Sequence, residues 1–422
     1  MELKFPDGFL WGAATSAHQV EGGNKNDWTE WEQKNAERLA NMARMRYENG
    51  INSPLPNHLI EKERGQFEPW PDYILRNYPN PLQEENYISG RACEHYIRFR
   101  EDFNIAKSLG HNAHRFSIEW SRIEPEDGKF DEKEIEHYRQ VILALRERGI
   151  EPFVTLWHWT LPLWVCDIGG WENKKTIKYF TRYAEKIVEE LGSEVKFWIT
   201  LNETNVYTGF SYFKGFWPPE KRSLIKYLRA NHYLSQAHAA ACKAIKKINP
   251  AAQIGVAHNV MHFTGLFAGL KRFVYNYLFL NSLGRFQDFI GINYYKSDRN
   301  AGERTDMDWP IDAEGFYHVL KDADRYKKPI YVLENGIADA KDDGREIFIK
   351  EHVRSMKKAI DEGVDVRGYF YWSLLDNFEW DKGFWPKFGL VEIDYKTMER
   401  KVRPSAWEYA KICKNNFLEI IE

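Results

Sequence analysis

The chain has 422 residues, with 59 Lys and Arg against 62 Asp and Glu, a net charge of -3. That balance offers no electrostatic footprint for nucleic acid or an anionic membrane and favours neutral ligands. No apolar run approaches the roughly 20 residues that span a bilayer, and MELKFPDGFLWGAAT lacks the basic-then-apolar pattern of an export leader, so a cytoplasmic enzyme without membrane attachment is expected.

Short apolar runs recur, each followed by a longer amphipathic segment, which is the pattern of βα units. In chain order they are FLWGAAT from Phe9, AHRFSI from Ala113, PFVTLW from Pro152, FWITLN from Phe197, QIGVAHN from Gln253, FIGINYY from Phe289, IYVLEN from Ile330 and VRGYFYW from Val366. Eight is the number that closes a (β/α)8 barrel, and no linker or repeat divides the chain, so one domain over 1–422 is expected. The spacing breaks once. From Gln33 to Ser89 a helical stretch, NAERLANMARMRYENG, leads into Pro- and Asn-rich sequence, read as a loop over the barrel mouth because every βα loop opens there. EIEHYRQVILALRERG predicts a helix stopped at Gly149.

The runs end in polar or aromatic groups: Arg115 and Trp120, His158 and Trp159, Asn202 and Glu203, Asn293 and Tyr295, Glu334 and Asn335, Trp372. In such a barrel these ends converge on one mouth. Glu334 closes a strand whose buried end cannot hold an isolated charge, and Asn335-Gly336 after it reads as a turn. Glu203 lies three strands earlier, nearly opposite. Two facing carboxylates suit glycoside hydrolysis, where one protonates the leaving oxygen and the other attacks or activates water. The scattered Cys93, Cys166, Cys242 and Cys413, and the lack of HExxH, a strand-end Schiff-base Lys or a Gly-rich phosphate loop, predict neither metal nor cofactor.

The blocks FLWGAATSAHQVEG, HRFSIEWSRI, TLWHWTLP, WITLNETNV, GINYY, LENG and YFYWSLLDNFEW, spread over nearly the whole chain, resemble glycoside hydrolase family 1 in its order. The resemblance implies a retaining β-glycosidase with Glu203 as acid/base on the fourth strand and Glu334 as nucleophile on the seventh. It implies that Arg115 and Tyr295 flank the nucleophile and that Asn202 holds the sugar 2-hydroxyl. It carries sugar binding onto Gln19, His158, Glu379 and Trp380, with Trp372 as the platform beneath the ring. The expected substrate is a terminal β-D-glucosyl unit, with galactosyl and fucosyl alternatives left open, and no partner beyond that small saccharide is implied. A transglycosidase is the nearest alternative; a non-catalytic carbohydrate-binding relative is disfavoured because both acids are present. The chain departs from the family pattern at Thr204, where Pro is usual, at Thr160, where Asp is usual, and in a short span from His258 to Phe289.

Overall fold

The computed structural model describes residues 2–49, 70–299 and 302–420. Eight parallel strands, β1 (Leu10–Ala14), β2 (Ala113–Ser117), β3 (Glu151–Thr155), β4 (Phe197–Asn202), β5 (Gln253–His262), β6 (Ile290–Ser297), β7 (Ile330–Asn335) and β8 (Val366–Trp372), close in chain order into a barrel. Helices α1 (Asp27–Asn49), α2 (His95–Ser108), α3 (Glu132–Glu147), α4 (Lys175–Leu191), α5 (Leu224–Ile248), α6 (Ala313–Ala323), α7 (Arg345–Asp361) and α8 (Pro404–Asn415) dress it. The expected (β/α)8 architecture holds, with each strand on one of the eight apolar runs. Among the described residues no helix is long and apolar enough to cross a membrane.

Local chemistry explains the dressing. In α3 the Asp131 carboxylate caps the Lys133 and Glu134 amides, and Ile135, Tyr138, Val141, Ile142 and Leu145 bury one face at helical spacing. Gly149, at φ +66°, then stops the helix as its sequence predicts. The strands sort their side chains by parity. Phe153, Phe197, Phe289, Tyr331 and Phe370 belong to an interior cluster that fills the floor of the barrel, with Phe153 stacked on Phe197 at 4.1 Å. Their neighbours Val154, Trp198, Ile290, Ile330, Val332 and Tyr369 face outward, in the shell shared with the helices.

Two sequence expectations are corrected. Gly336 forms no turn: a Cβ there would stand 1.9 Å from the Trp372 carbonyl oxygen, so glycine lets β8 approach the end of β7. Trp120 does not reach the mouth. It stacks on Tyr183 of α4 at 5.2 Å, in the outer shell, because the chain turns into a short helix at Trp120–Ile123.

The helix expected after Gln33 is present as part of α1, while residues 50–69 of the insertion lie outside the described residues. Both flanks of that segment pack on mouth loops. Trp28 meets Trp380 at 4.6 Å, Tyr73 donates to Asp306 at 2.5 Å, and Asn86 donates its side-chain amide to the Lys382 carbonyl at 2.8 Å.

The loop after β8 is fastened from behind by a buried fork, in which Arg403 donates to the two oxygens of Asp376 at 2.9 and 2.8 Å. Removing the cation strands a buried carboxylate, so Arg403→Met should cost about 3–5 kcal/mol in denaturant unfolding. A change within about 0.5 kcal/mol, the range of ordinary surface substitutions, would deny the fork that role.

Candidate active site

A cavity of about 140 Å³ opens at the C-terminal ends of the strands. Nine of the ten residues expected at the site line it: Gln19, His158, Asn202, Glu203, Tyr295, Glu334, Trp372, Glu379 and Trp380. The tenth, Arg115, lies beneath Glu334 and is fully enclosed.

Arg115 is the hub. Its guanidinium pairs with Glu334, donates to Asn202 Oδ1 at 2.6 Å, and is braced at Nε by Thr155 at 3.1 Å. The Tyr295 hydroxyl donates to the other Glu334 oxygen at 2.6 Å. Burial and the neighbouring carboxylate push this phenol well above its usual range, so it remains a donor. Burial pushes Glu334 upward as well, but the Arg115 charge and the hydrogen bonds from Tyr295 and Asn293 oppose it.

Among the described residues Glu203 has no cation in contact. Its Oε1 accepts from Asn259 at 3.0 Å and from Asn293 at 2.8 Å. Burial, then the charge of Glu334, pushes it up to about 8. Glu379 is raised to about 8 for the same reasons, with Glu203 adding to the repulsion. Three buried glutamates thus share one cavity, and of these Glu334 has the buried guanidinium, so it ionises first and its charge keeps the other two glutamates protonated.

Breaks in strand regularity aim these groups. Tyr331 and Leu333 are inward residues of β7, so strict alternation would turn Glu334 out. The pairing with β6 slips there, Ile292 opposite Val332 being followed by Asn293 opposite Glu334, and the carboxylate swings in. On β4, three residues from Ile199 to Asn202 span two on β5, from Gly255 to Ala257. Consecutive Asn202 and Glu203 both face the cavity as a result. Glu203 then sits at φ +42°, with Trp159 at +79° and Trp380 at +50°, so three residues of the cavity wall hold left-handed backbone.

The residues expected to bind the sugar are held as firmly. Asn202 donates to His158 Nε2 at 3.1 Å, which leaves the proton of the neutral imidazole on Nδ1, buried and without a protein partner. Burial, aided by the Arg115 charge, keeps that ring neutral. Gln19 accepts from Ser16 at 2.6 Å and donates to Asn377 and the Phe378 carbonyl, each at 2.9 Å. Trp372 lies near parallel to His158, with 6.1 Å between centroids. Thr160, in place of the usual Asp, donates to Glu119 at 2.8 Å.

Sequence reasoning assigned no role to Asn293, Asn259, Trp217, Tyr275 or Trp309. Asn293 was legible, since it follows Gly291 inward on β6. Trp217 and Trp309 come from loops, where no period points a side chain, and Tyr275 from a widened helical turn that the ordinary helical period does not describe.

The family model for glycosyl hydrolase family 1 matches residues 64–266 and 292–417. The chain belongs to glycosyl hydrolase family 1. It is a glycoside hydrolase of the β-glycosidase type, as the resemblance implied. Among family 1 proteins, β-glucosidase A of Thermotoga maritima is 33% identical, the alignment covering 99% of each chain. The solved β-glycosidase from Pyrococcus horikoshii superposes with a TM-score of 0.83 at 35% identity, covering 100% of this chain and 97% of that one. A 6-phospho-β-galactosidase of Staphylococcus epidermidis is 29% identical over 98% of this chain and 99% of its own.

Proposed function

We propose that the protein is an exo-acting, retaining β-glycosidase that removes one unphosphorylated, glucose-type unit from the non-reducing end of its substrate. The observation that carries this is the asymmetry of the two acids: Glu334 is held by Arg115 and Tyr295, while Glu203 accepts from the amides of Asn259 and Asn293. A nucleophile must be ionised and a general acid protonated, and these surroundings favour that division at neutral pH.

In the first step a Glu334 oxygen attacks the anomeric carbon, the glycosidic C–O bond breaks, and the Glu203 proton passes to the leaving oxygen. A glycosyl ester of Glu334 forms. The charge that kept Glu203 protonated has now gone into that ester, so the Glu203 carboxylate takes a proton from water as the water oxygen attacks the anomeric carbon. The ester bond breaks, Glu334 regains its charge, and two inversions leave the β configuration. The second Nδ2–H of Asn202 is available to the 2-hydroxyl, whose hydrogen bond strengthens in the transition state. His158, Gln19 and Glu379 serve the outer hydroxyls, and Trp372 the face of the ring.

Glu379 also argues against a 6-phosphate. A dianion beside it would meet a neutral carboxyl where it needs a cation, and the adjacent Lys382 is already engaged with Asp381 at 3.1 Å. A panel of aryl glycosides therefore tests the reading. Unphosphorylated β-glucoside should exceed its 6-phospho counterpart in kcat/KM on the order of 10²-fold, and NMR should show the β-anomer released first. Preference for the phosphorylated substrate, or first release of the α-anomer, would overturn it.

A further inference from the structure

The short span between His258 and Phe289 finds its use at the acid/base. After β5 the chain passes through a short helix (Ala268–Arg272), a widened π-helical turn (Phe273–Tyr277) and a second short helix (Leu278–Leu283). Such widened turns often mark functional positions. This one carries Tyr275 into the cavity wall. The Tyr275 hydroxyl donates to Asn259 Oδ1 at 2.9 Å, and Asn259 Nδ2 donates to Glu203 Oε1 at 3.0 Å. Backbone contacts clamp the turn in place. The Tyr275 carbonyl accepts from His258 at 3.2 Å and from Asn205 at 3.4 Å, and Asn276 exchanges bonds with the Met261 amide and carbonyl at 3.1 and 2.9 Å.

We propose that Tyr275 is a positioning residue for the acid/base: it locks the Asn259 amide so that its N–H always faces Glu203, and so sets how readily Glu203 gives up its proton. The inference rests on Glu203 being the acid/base. An unrestrained amide can offer either its oxygen or its nitrogen. Here Oε1 already accepts from Asn293 at 2.8 Å, so the proton of neutral Glu203 belongs on Oε2, and an Asn259 oxygen turned toward Oε1 would set acceptor against acceptor. With the hydroxyl of Tyr275 holding Oδ1, the donor stays on Glu203 in both ionisation states. It bonds the carboxylate more strongly than the acid, which holds down a pKa that burial and Glu334 raise. Glu203 thereby remains able to act as the base of the second step.

The titratable and charged groups that share the cavity with Glu203 are Glu334 with Arg115 beneath it, the neutral His158, Tyr295 and Lys296 from β6, and Glu379, Asp381 and Lys382 from the loop after β8, with the neutral His258 behind Tyr275. None of them changes in Tyr275→Phe. Loss of the hydroxyl should shift the alkaline limb of kcat/KM upward by about half to one pH unit, roughly a three- to ten-fold gain in proton affinity, with the acid limb unmoved. It should also slow turnover of a dinitrophenyl glycoside, whose second step needs the anion. Asn259→Ala, which removes the donor itself, should shift the limb at least as far. Thermal melts of both variants separate this from loss of fold, because a merely structural Tyr275 would lower the melting temperature or kcat and leave the limb in place. Glu203→Gln is the control. If the alkaline limb survives there, the acid/base assignment itself fails. If it vanishes there yet stays put or moves downward in Tyr275→Phe and Asn259→Ala, the positioning role is overturned and the assignment stands; a shift in Asn259→Ala alone overturns the part of Tyr275.

Discussion

Glu334→Gly should lose hydrolysis of every substrate, on the order of 10⁵-fold or more, because in the proposed mechanism it removes the atom that forms the glycosyl–enzyme bond. The same change strands a buried cation. Arg115 is 1% exposed and would keep only the neutral partners Thr155, Asn202 and the Leu333 carbonyl. The variant should therefore also lose about 3–5 kcal/mol of stability, unless water or an anion enters beside the guanidinium. Azide or formate fits that vacancy, and two recoveries should follow together. The melting temperature should rise with anion concentration, as linkage requires of a ligand that binds only the folded state. An activated β-glycoside should also be consumed again, with azide giving the α-glycosyl azide, since a single displacement inverts the anomeric centre. Ordinary hydrolysis by a verified Glu334→Gly preparation would remove Glu334 from the nucleophile's role. Anion-dependent stabilisation without any α-glycosyl azide would separate the Arg115 pairing from the chemistry.

Glu203→Gln should divide substrates by leaving group. Protonation in the first step matters only when the departing oxygen is basic, so a dinitrophenyl glycoside should form the glycosyl ester at near the normal rate. The second step then lacks its base. A burst of phenol followed by turnover about 10²–10⁴-fold slower is expected, that being the usual contribution of a general base. Azide needs no deprotonation and should restore the rate, giving the β-glycosyl azide because it attacks the α-linked ester. An alkyl glycoside or a disaccharide should show no burst, since its first step already fails. Gln keeps the shape of the side chain and can put an acceptor oxygen toward Asn259 and Asn293, which confines the effect to the proton. Equal losses on both kinds of leaving group, with no burst and no azide rescue, would count against Glu203 as acid/base.

Much of this protein is legible before folding, because a barrel strand enclosed on both sides must be apolar along its length and must place its functional groups at its end. FWITLN, IYVLEN and VRGYFYW coincide with β4, β7 and β8, and Asn202 and Trp372 at the ends of the first and last, with Glu334 one residue before the end of the second, reach the cavity. The position of Gly149 as a helix stop is equally local, since it depends on a φ that only glycine adopts freely.

What sequence could not determine is set by contacts between strands and by loops. Alternation from Tyr331 and Leu333 sends Glu334 outward, and only the slipped pairing against β6 brings it in; a slip is a property of two strands in register and leaves no mark in either alone. The bulge that turns both Asn202 and Glu203 inward is of the same kind. Asn335-Gly336 has the composition of a turn, yet its glycine answers to the Trp372 carbonyl, an atom 36 positions away along the chain. Trp217 and Trp309 arrive on loops that have no period to read, and Tyr275 on a widened helical turn outside the ordinary helical period. The ionisation of the acids is likewise tertiary. Glu203 and Glu334 are the same residue type at similar strand ends, and the buried guanidinium of Arg115, delivered by β2 to one of them and not the other, decides which holds the charge and which the proton.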